Sequence, residues 1–334
     1  MIHIVAESHI PYLHGVLEPW AHVTYAPVID AATAHDADVL LVRTRTHCDA
    51  ALLAGSRVRF IGTATIGTDH IDMDYCRLHD ITVANAPGCN APAVAQWVLA
   101  AIGQWMRRHD EADAHRLTLG VVGVGHVGSI VARWARQVGF NVLLNDPPRA
   151  SHSPGQAGAF IPLAQLATQS HIITFHTPLT MNGPYATWHL CNEHLLSAAA
   201  HCRLIVNAAR GGIAIDPMLA QWHGDVAIDC WENEPRLNID LLKKALVATP
   251  HIAGYSAQGK ARATAMLLQA LNTHFGWQVP LPVIDAPTAG AAHVTLDGIM
   301  ASYDIMADTE ALKAEPTRFE TMRNTYHLRN EVSD

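Results

Sequence analysis

The chain has 334 residues, 49% of them apolar and 16% Asp, Glu, Lys or Arg, with a formal net charge of −8. That balance builds a core and excludes a disordered polymer, and with no basic run it also excludes tracking of nucleic-acid phosphates. No apolar stretch approaches the ~20 residues of a membrane span, so the expected partner is a small molecule and neither nucleic acid nor membrane. The length suggests two or three domains. The first residues, MIHIVAESHIPY, lack a basic region followed by a long apolar core, and the six cysteines are scattered without C-x-x-C spacing. A cytoplasmic protein with ordinary thiols is therefore expected.

Residues 1–97 alternate short apolar runs with helical or turn stretches. Ile2–Val5, Val23–Tyr25, Val39–Val42, Phe60–Gly62 and Thr82–Asn85 are predicted strands, and Pro11–Pro19 and Cys48–Ala54 predicted helices. This alternation indicates a parallel α/β unit. Its strands run into polar loops at Arg43-Thr44-Arg45-Thr46, Gly62-Thr63-Ala64-Thr65 and Ala86-Pro87-Gly88-Cys89-Asn90. Ligands gather at the carboxyl ends of such strands, so these loops are candidate substrate walls, with plain loop chemistry as the alternative. A long apolar helix over Ala93–Arg107 then leads toward a second unit.

That unit opens on Leu117–Val122, an apolar strand pattern that enters Gly123-Val124-Gly125-His126-Val127-Gly128. A helical pattern over Ser129–Val138 follows, then a strand over Asn141–Asn145 that stops at Asp146. Strand, glycine turn, helix, strand and terminal acid form the dinucleotide-binding fingerprint in its required context. The glycines permit the tight turn, the approach of amides to a pyrophosphate and close helix packing, at a helix end that favours anions. A carboxylate at Asp146 accepts bonds from a ribose and repels a 2′-phosphate, so NAD is expected over NADP. The alternative is a simple glycine-rich turn.

After a Gly-, Ser- and Pro-containing loop over Ala150–Ala159, further strands are predicted at Ile172–Phe175, Leu204–Asn207, Val226–Ile228 and Ala245–Ala248. Helices are expected at Pro162–Thr168, Asn192–Ala199, Pro217–Trp222 and Lys260–Phe275, and a strand-like run at His293–Leu296. The 22 histidines raise a metal reading. No H-E-x-x-H is present, and the densest cluster, His189 to His194, lacks a ligand pattern, so no metal site is expected.

Polar residues follow three of the later strands: Arg210, Glu234 and His251. Hydride transfer from a 2-hydroxy acid needs a cation for the carboxylate, a base for the hydroxyl proton and a partner that tunes the base. Arg210 offers a permanent bidentate fork. His251, with an intrinsic pKa near ~6.5, suits the base, and Glu234 would favour its imidazolium and fix its ring. Spacing leaves open whether they converge; a surface salt bridge and a capping histidine are the alternatives.

Asn207-Ala208-Ala209-Arg210-Gly211, Trp231-Glu232-Asn233-Glu234-Pro235 and Pro250-His251-Ile252-Ala253-Gly254 together resemble the D-isomer-specific 2-hydroxyacid dehydrogenase family. Within it, segments 62–72, 86–95, 145–150, 175–185, 237–244 and 251–264 are similar to the branch that acts on 4-phospho-D-erythronate. The resemblance covers about residues 1–330. It implies a Rossmann-type doubly wound parallel sheet (98–256) inserted in a flavodoxin-like α/β substrate domain (1–97 and 257–279). A small C-terminal α+β dimerisation segment (280–334) and a homodimer are implied as well.

The same resemblance implies NAD-dependent oxidation to the 2-oxo acid in vitamin B6 biosynthesis, with His251 as base, Glu234 its partner and Arg210 the carboxylate holder. Asp146, Thr177, Ala208, Ala209, Arg210, Asp229 and Gly254 match cofactor-contacting positions; Thr44, Thr65 and Tyr255 match substrate-contacting ones. Two departures stand out. The usual first-strand exit is here Ala6-Glu7-Ser8-His9-Ile10-Pro11, and Thr44 replaces a serine in a loop with an extra arginine. The chain also ends at Asp334, before the family's usual final strands, so a smaller or altered dimer interface is expected. Alternatives are a relative acting on phosphoglycerate, glyoxylate or an unphosphorylated hydroxy acid, and a non-catalytic NAD-sensing protein.

Overall fold

Short apolar runs alternating with helices become two parallel sheets in the computed structural model, which describes residues 1–152, 158–283 and 294–332. The chain divides into two units: Met1–Asn90 with Ser256–Asp285, and Ala91–Tyr255 with Ala286–Asp334.

The first unit holds β1 (His3–Glu7), β2 (His22–Ala26), β3 (Val39–Val42), β4 (Phe60–Thr63) and β5 (Thr82–Ala84), all parallel, in the order β2-β1-β3-β4-β5. Every residue of β3 and β4 is buried, which is why those runs read as continuously apolar: a parallel sheet is covered on both faces. Helix Ala257–Phe275 covers one face, placing Leu267, Leu268 and Leu271 with Ile4, Leu41 and Phe60. Ser256 caps it by accepting from the Gly259 amide, and Gly276, at φ 70°, ends it. Gly62 permits the close approach, since a Cβ there would lie 2.1 Å from Leu267.

Two expectations in this unit fail. Pro11–Pro19 forms turns, not a helix. Tyr12 and Gly15 both take positive φ, 61° and 80°, and a helix cannot pass through them. Cys48–Ala54 shortens to a single turn, Ala50–Leu53, capped by Asp49.

The second unit holds β6 (Thr118–Val122), β7 (Asn141–Asn145), β8 (Ile172–Phe175), β9 (Leu204–Asn207), β10 (Asp225–Ile228) and β11 (Val247–Ala248). Their order is β11-β10-β9-β8-β6-β7, again parallel throughout, so the chain starts mid-sheet and winds outward both ways. Helix Ala91–Arg108 is buried around most of its circumference, with Trp97 and Trp105 wholly inside. Each such aromatic contributes on the order of 2–3 kcal/mol. Trp97 meets its polar requirement by donating from Nε1 to the Thr249 hydroxyl at 3.0 Å.

The C-terminal residues belong to this second unit. Helix Leu296–Ser302 lies on helix Ala91–Arg108 at Gly103, where a Cβ would come within 2.6 Å of the Met300 sulfur. Helix Ile305–Ala314 reaches β11, its Thr309 hydroxyl accepting from the Ala248 amide at 3.2 Å, and helix Phe319–Asn324 follows. The strand expected at His293–Leu296 is not formed: His293 lies outside the described residues, Val294 and Thr295 are irregular, and Thr295 caps the helix that begins at Leu296. The loop expected over Ala150–Ala159 lies partly outside them too, and its first residues finish helix Pro147–His152. No described helix is long and apolar enough to cross a membrane. All six cysteines are buried free thiols.

Candidate active site

The glycine turn sits between β6 and helix His126–Gln137, which starts three residues before the predicted Ser129. Gly123 takes φ 85°, and a Cβ on it would strike the His176–Thr177 backbone at 2.8 Å. A Cβ on Gly128 would lie 2.0 Å from the Gly123 carbonyl oxygen, whereas one on Gly125 would meet nothing within 4 Å. The turn is thus tight beneath and open above. Gly125 caps the helix with no side chain over its amides, leaving exposed His126 and half-buried Val127 at an end that attracts phosphate. The Asp146 carboxylate accepts from the Val124 amide at 2.8 Å and the Arg149 amide at 3.0 Å, which ties the end of β7 to the turn.

The His176–Thr177 segment abuts Gly123 and carries two unsatisfied polar atoms. Thr177 Oγ1 is buried without a hydrogen-bond partner among the described residues, as is His176 Nδ1. Burial pushes the His176 imidazole down to about 3, so it stays neutral. An orphaned hydroxyl beside an open glycine cradle fits a bound dinucleotide, because buried polar groups otherwise find partners.

The next three strands carry the remaining groups on adjacent carboxyl ends. After β9, Asn207 shapes the turn: its Nδ2 donates to the Arg210 carbonyl at 2.9 Å, and its Oδ1 accepts from the Ala209 amide at 3.2 Å. Ala208 and Ala209 are the two residues of that turn. Arg210 follows in extended conformation, and its Nη1 donates back to the Ala209 carbonyl at 2.9 Å. Gly211 is required here, since a Cβ would sit 1.9 Å from the Trp231 carbonyl oxygen of the β10 loop.

Glu234 and His251 come into direct contact: Glu234 Oε1 lies 2.6 Å from His251 Nδ1, each side chain about one quarter exposed, at 25% and 26%. Burial pulls the Glu234 carboxyl upward, but the hydrogen bond and charge of His251, then the charge of Arg323, overcome it and leave it below its ordinary value. Nε2 of His251 is the ring atom left for a substrate. His251 itself takes φ 56°, a strained conformation for a residue with a side chain.

Asp229 explains how the strain is held. Its buried carboxylate accepts from the Thr249 hydroxyl (2.6 Å) and from the amides of Ile252 (2.8 Å) and Ala253 (3.0 Å). Its backbone carbonyl accepts the His251 amide at 3.0 Å. Burial raises the pKa of Asp229, against the charge of His251 and these bonds. The residue expected at the cofactor therefore spends both carboxylate oxygens on shaping the His251 loop. Gly254 and Tyr255 complete that loop, half-buried.

A second acid–base group lies close by. His189 Nε2 is 2.5 Å from Glu232 Oε1, and Glu232 and Asp216 exchange backbone-to-carboxylate bonds at 3.2 and 3.3 Å. Burial, together with the charges of Glu232 and Glu234, pushes Asp216 up to about 7, against the bond from the Glu232 amide. Of the cluster weighed for metal, His189 thus turns to a carboxylate outside it, that of Glu232. No group of His, Cys, Asp or Glu among the described residues could hold a metal ion.

In the first unit, Thr44 is exposed after β3, while Thr65 is engaged: its hydroxyl is 2.7 Å from that of Thr63 and donates to the Gly67 carbonyl at 3.0 Å. Glu7 orders the Arg43–Thr46 loop, its Oε1 accepting from the Arg43 amide at 3.0 Å and the Thr46 hydroxyl at 2.5 Å. Neither Glu7 nor the loop-shaping of Asp229 was anticipated, because no local pattern marks a side chain bonded to distant backbone.

Residues 90–253 match the family model described as D-isomer specific 2-hydroxyacid dehydrogenase, NAD binding domain. A protein from Bacteroides fragilis named erythronate-4-phosphate dehydrogenase is 40% identical over 339 residues, covering 98% of this chain and 97% of its own. The chain belongs to the D-isomer-specific 2-hydroxyacid dehydrogenases. Another dehydrogenase of that name, from Escherichia coli, is 36% identical over 99% of this chain and 92% of its own. Among solved structures, D-lactate dehydrogenase from Aquifex aeolicus, complexed with NAD and lactic acid, superposes with a TM-score of 0.67. It covers 82% of this chain and 96% of its own at 22% identity, a likeness of fold. As a member of this dehydrogenase family the protein is an NAD-dependent oxidoreductase.

Proposed function

We propose that this dehydrogenase oxidises 4-phospho-D-erythronate to (R)-3-hydroxy-2-oxo-4-phosphooxybutanoate, a step of pyridoxal 5′-phosphate biosynthesis. The near-full-length similarity to relatives named erythronate-4-phosphate dehydrogenase carries the substrate. For the chemistry, the supporting observation is the 2.6 Å contact of Glu234 with His251.

Arg210 holds the substrate carboxylate by its guanidinium fork. His251 accepts the C2 hydroxyl proton at Nε2, and Glu234, ionised and bonded at Nδ1, stabilises the imidazolium that results. NAD, when bound, supplies the acceptor for the hydride leaving C2. Gly123, Gly125, His126, Val127 and Gly128 would receive its pyrophosphate, Asp146 its ribose, and Thr177, Ala208, Ala209 and Gly254 the remainder, with Asp229 acting through the loop it shapes. Thr44, Thr65 and Tyr255 would bind substrate, with Arg43 and Arg45 as cations for the phosphate.

In this reading residues 1–97 and 257–279 serve the substrate and 98–256 the cofactor, and 280–334 contribute to the interface of a cytoplasmic homodimer. The deciding assay follows NADH formation from 4-phospho-D-erythronate, 3-phosphoglycerate and D-lactate in parallel. Turnover confined to the first is expected. Comparable turnover on the others would remove the substrate assignment, and none on any would favour a binding protein.

A further inference from the structure

The loop that carries His251 is held from two sides by opposite charges, and only one of them comes from the sheet. Asp229, at the end of β10, takes the amides of Ile252 and Ala253. Arg329, from the C-terminal arm, takes the carbonyls. Its Nη1 donates to Ile252 O and Tyr255 O, each at 3.0 Å; its Nη2 donates to Ala253 O and, at 3.1 Å, to Ala93 O. Arg329 is only 8% exposed, with its guanidinium 4.4 Å from the Tyr303 ring centroid. A fork shared among four carbonyls is a fastener for backbone, and a lysine could not span them.

Six residues earlier, helix Phe319–Asn324 delivers a second guanidinium to the same place. The Tyr255 ring meets Tyr326 of this segment edge-on, with centroids 6.1 Å apart, and burial pulls the Arg323 guanidinium, its side chain 20% exposed, down in pKa while Tyr255 and Glu234 more than offset it. Glu320, one turn back, is 3.7 Å from its Nη1. The other ionisable groups around the Glu234–His251 pair are Asp229, Asp216, Glu232, Cys230 and Arg210. Its surroundings are thus rich in acids, and Arg323 is a cation of the C-terminal segment whose charge reaches Glu234.

We propose that Arg323 and Arg329 are positioning residues for the oxidation: Arg329 fixes the backbone that presents His251, and Arg323 orients the Tyr255 phenol and balances the charge on the Glu234–His251 pair. The C-terminal segment is therefore part of the catalytic apparatus of its own chain. This rests on His251 acting as the base.

The test uses the full chain. Arg323→Met, Arg323→Lys and Arg329→Met are compared with wild type in kcat/KM against pH, in NADH affinity, and in the NMR titration of ring-labelled His251, assigned by difference from His251→Ala. For Arg323→Met we expect kcat/KM to fall about tenfold or more with NADH affinity within about threefold, and the acid limb of the profile to move up by about half a pH unit, because loss of a cation favours the imidazolium. Arg323→Lys should recover most of this. Arg329→Met should speed hydrogen exchange of the Ile252 and Ala253 amides.

An unmoved limb and wild-type turnover in Arg323→Met would overturn the proposal, as would equal losses in the Met and Lys variants with no shift. If wild type itself fails on 4-phospho-D-erythronate, the His251 titration still decides. A higher midpoint in Arg323→Met sustains the positioning role while the proposed substrate falls, and an unchanged midpoint ends it.

Discussion

His251 Nδ1 and Glu234 Oε1 stand 2.6 Å apart, although 17 residues of chain separate them. The contact joins the loops after β10 and β11, and it makes one ring nitrogen a holding atom and the other a working one. Replacing Glu234 by Gln keeps an acceptor but removes the charge. We expect kcat to fall between about tenfold and a hundredfold while NADH binding is retained, whereas His251→Ala should cost about a thousandfold or more. Stopped-flow NADH formation with parallel fluorescence titration measures both. Near-full turnover in His251→Ala would show that the base lies elsewhere.

The two outer faces of the glycine turn predict opposite phenotypes for the same substitution. At Gly128 an added Cβ would lie 2.0 Å from backbone, so Gly128→Ala should destabilise the fold by more than about 2 kcal/mol. At Gly125 nothing lies within 4 Å, so Gly125→Ala should melt like wild type and lose NAD affinity instead. Thermal melts with and without NAD separate the cases. Unaltered NAD affinity in a folded Gly125→Ala would argue against a cofactor at this turn.

Asp216 predicts a pH dependence of stability. In the fold its carboxyl is raised to about 7, whereas in the unfolded chain it releases its proton near pH ~4. Between these values the unfolded state binds fewer protons, so stability from this group falls as pH rises from about 4 to about 7 and stays low above. Asp216→Asn keeps the acceptor for the Glu232 amide and removes the buried charge. We expect it to raise Tm by roughly 2–4 °C at pH 8 and to do little at pH 4. A gain of equal size at both pH values would locate the effect in packing.

Several elements were legible because their signals are local. The strand before Gly123 is a continuous apolar run, and the sharp turn demands glycine, so β6, the turn and Asp146 could be read together. Arg210, Glu234 and His251 stood out because each closely follows an apolar strand. That Glu234 meets His251 required the order β11-β10-β9, which spacing does not contain. At Pro11–Pro19 the apolar residues mimic a helix, and the positive φ of Tyr12, which no side chain advertises, decides otherwise. Val294 and Thr295 look strand-forming, yet the Thr295 hydroxyl caps a helix at the Gly298 amide. Least legible were the loop-fastening roles of Asp229, Glu7 and Arg329, whose partners are backbone groups and hydroxyls of distant residues that carry no sequence label.

Five of the six interior thiols have a consequence for how the molecule can be watched. Burial pushes Cys48, Cys191 and Cys202 up to about 12 and raises Cys76 and Cys230 as well. Alkylating reagents attack the thiolate, so these sulfurs stay silent while the chain is native. They respond only when the surrounding layer opens. Cys48 and Cys76 sit in the first unit, and Cys191, Cys202 and Cys230 in the second. Mass-resolved labelling therefore times the opening of each unit separately, with no probe engineered into the protein.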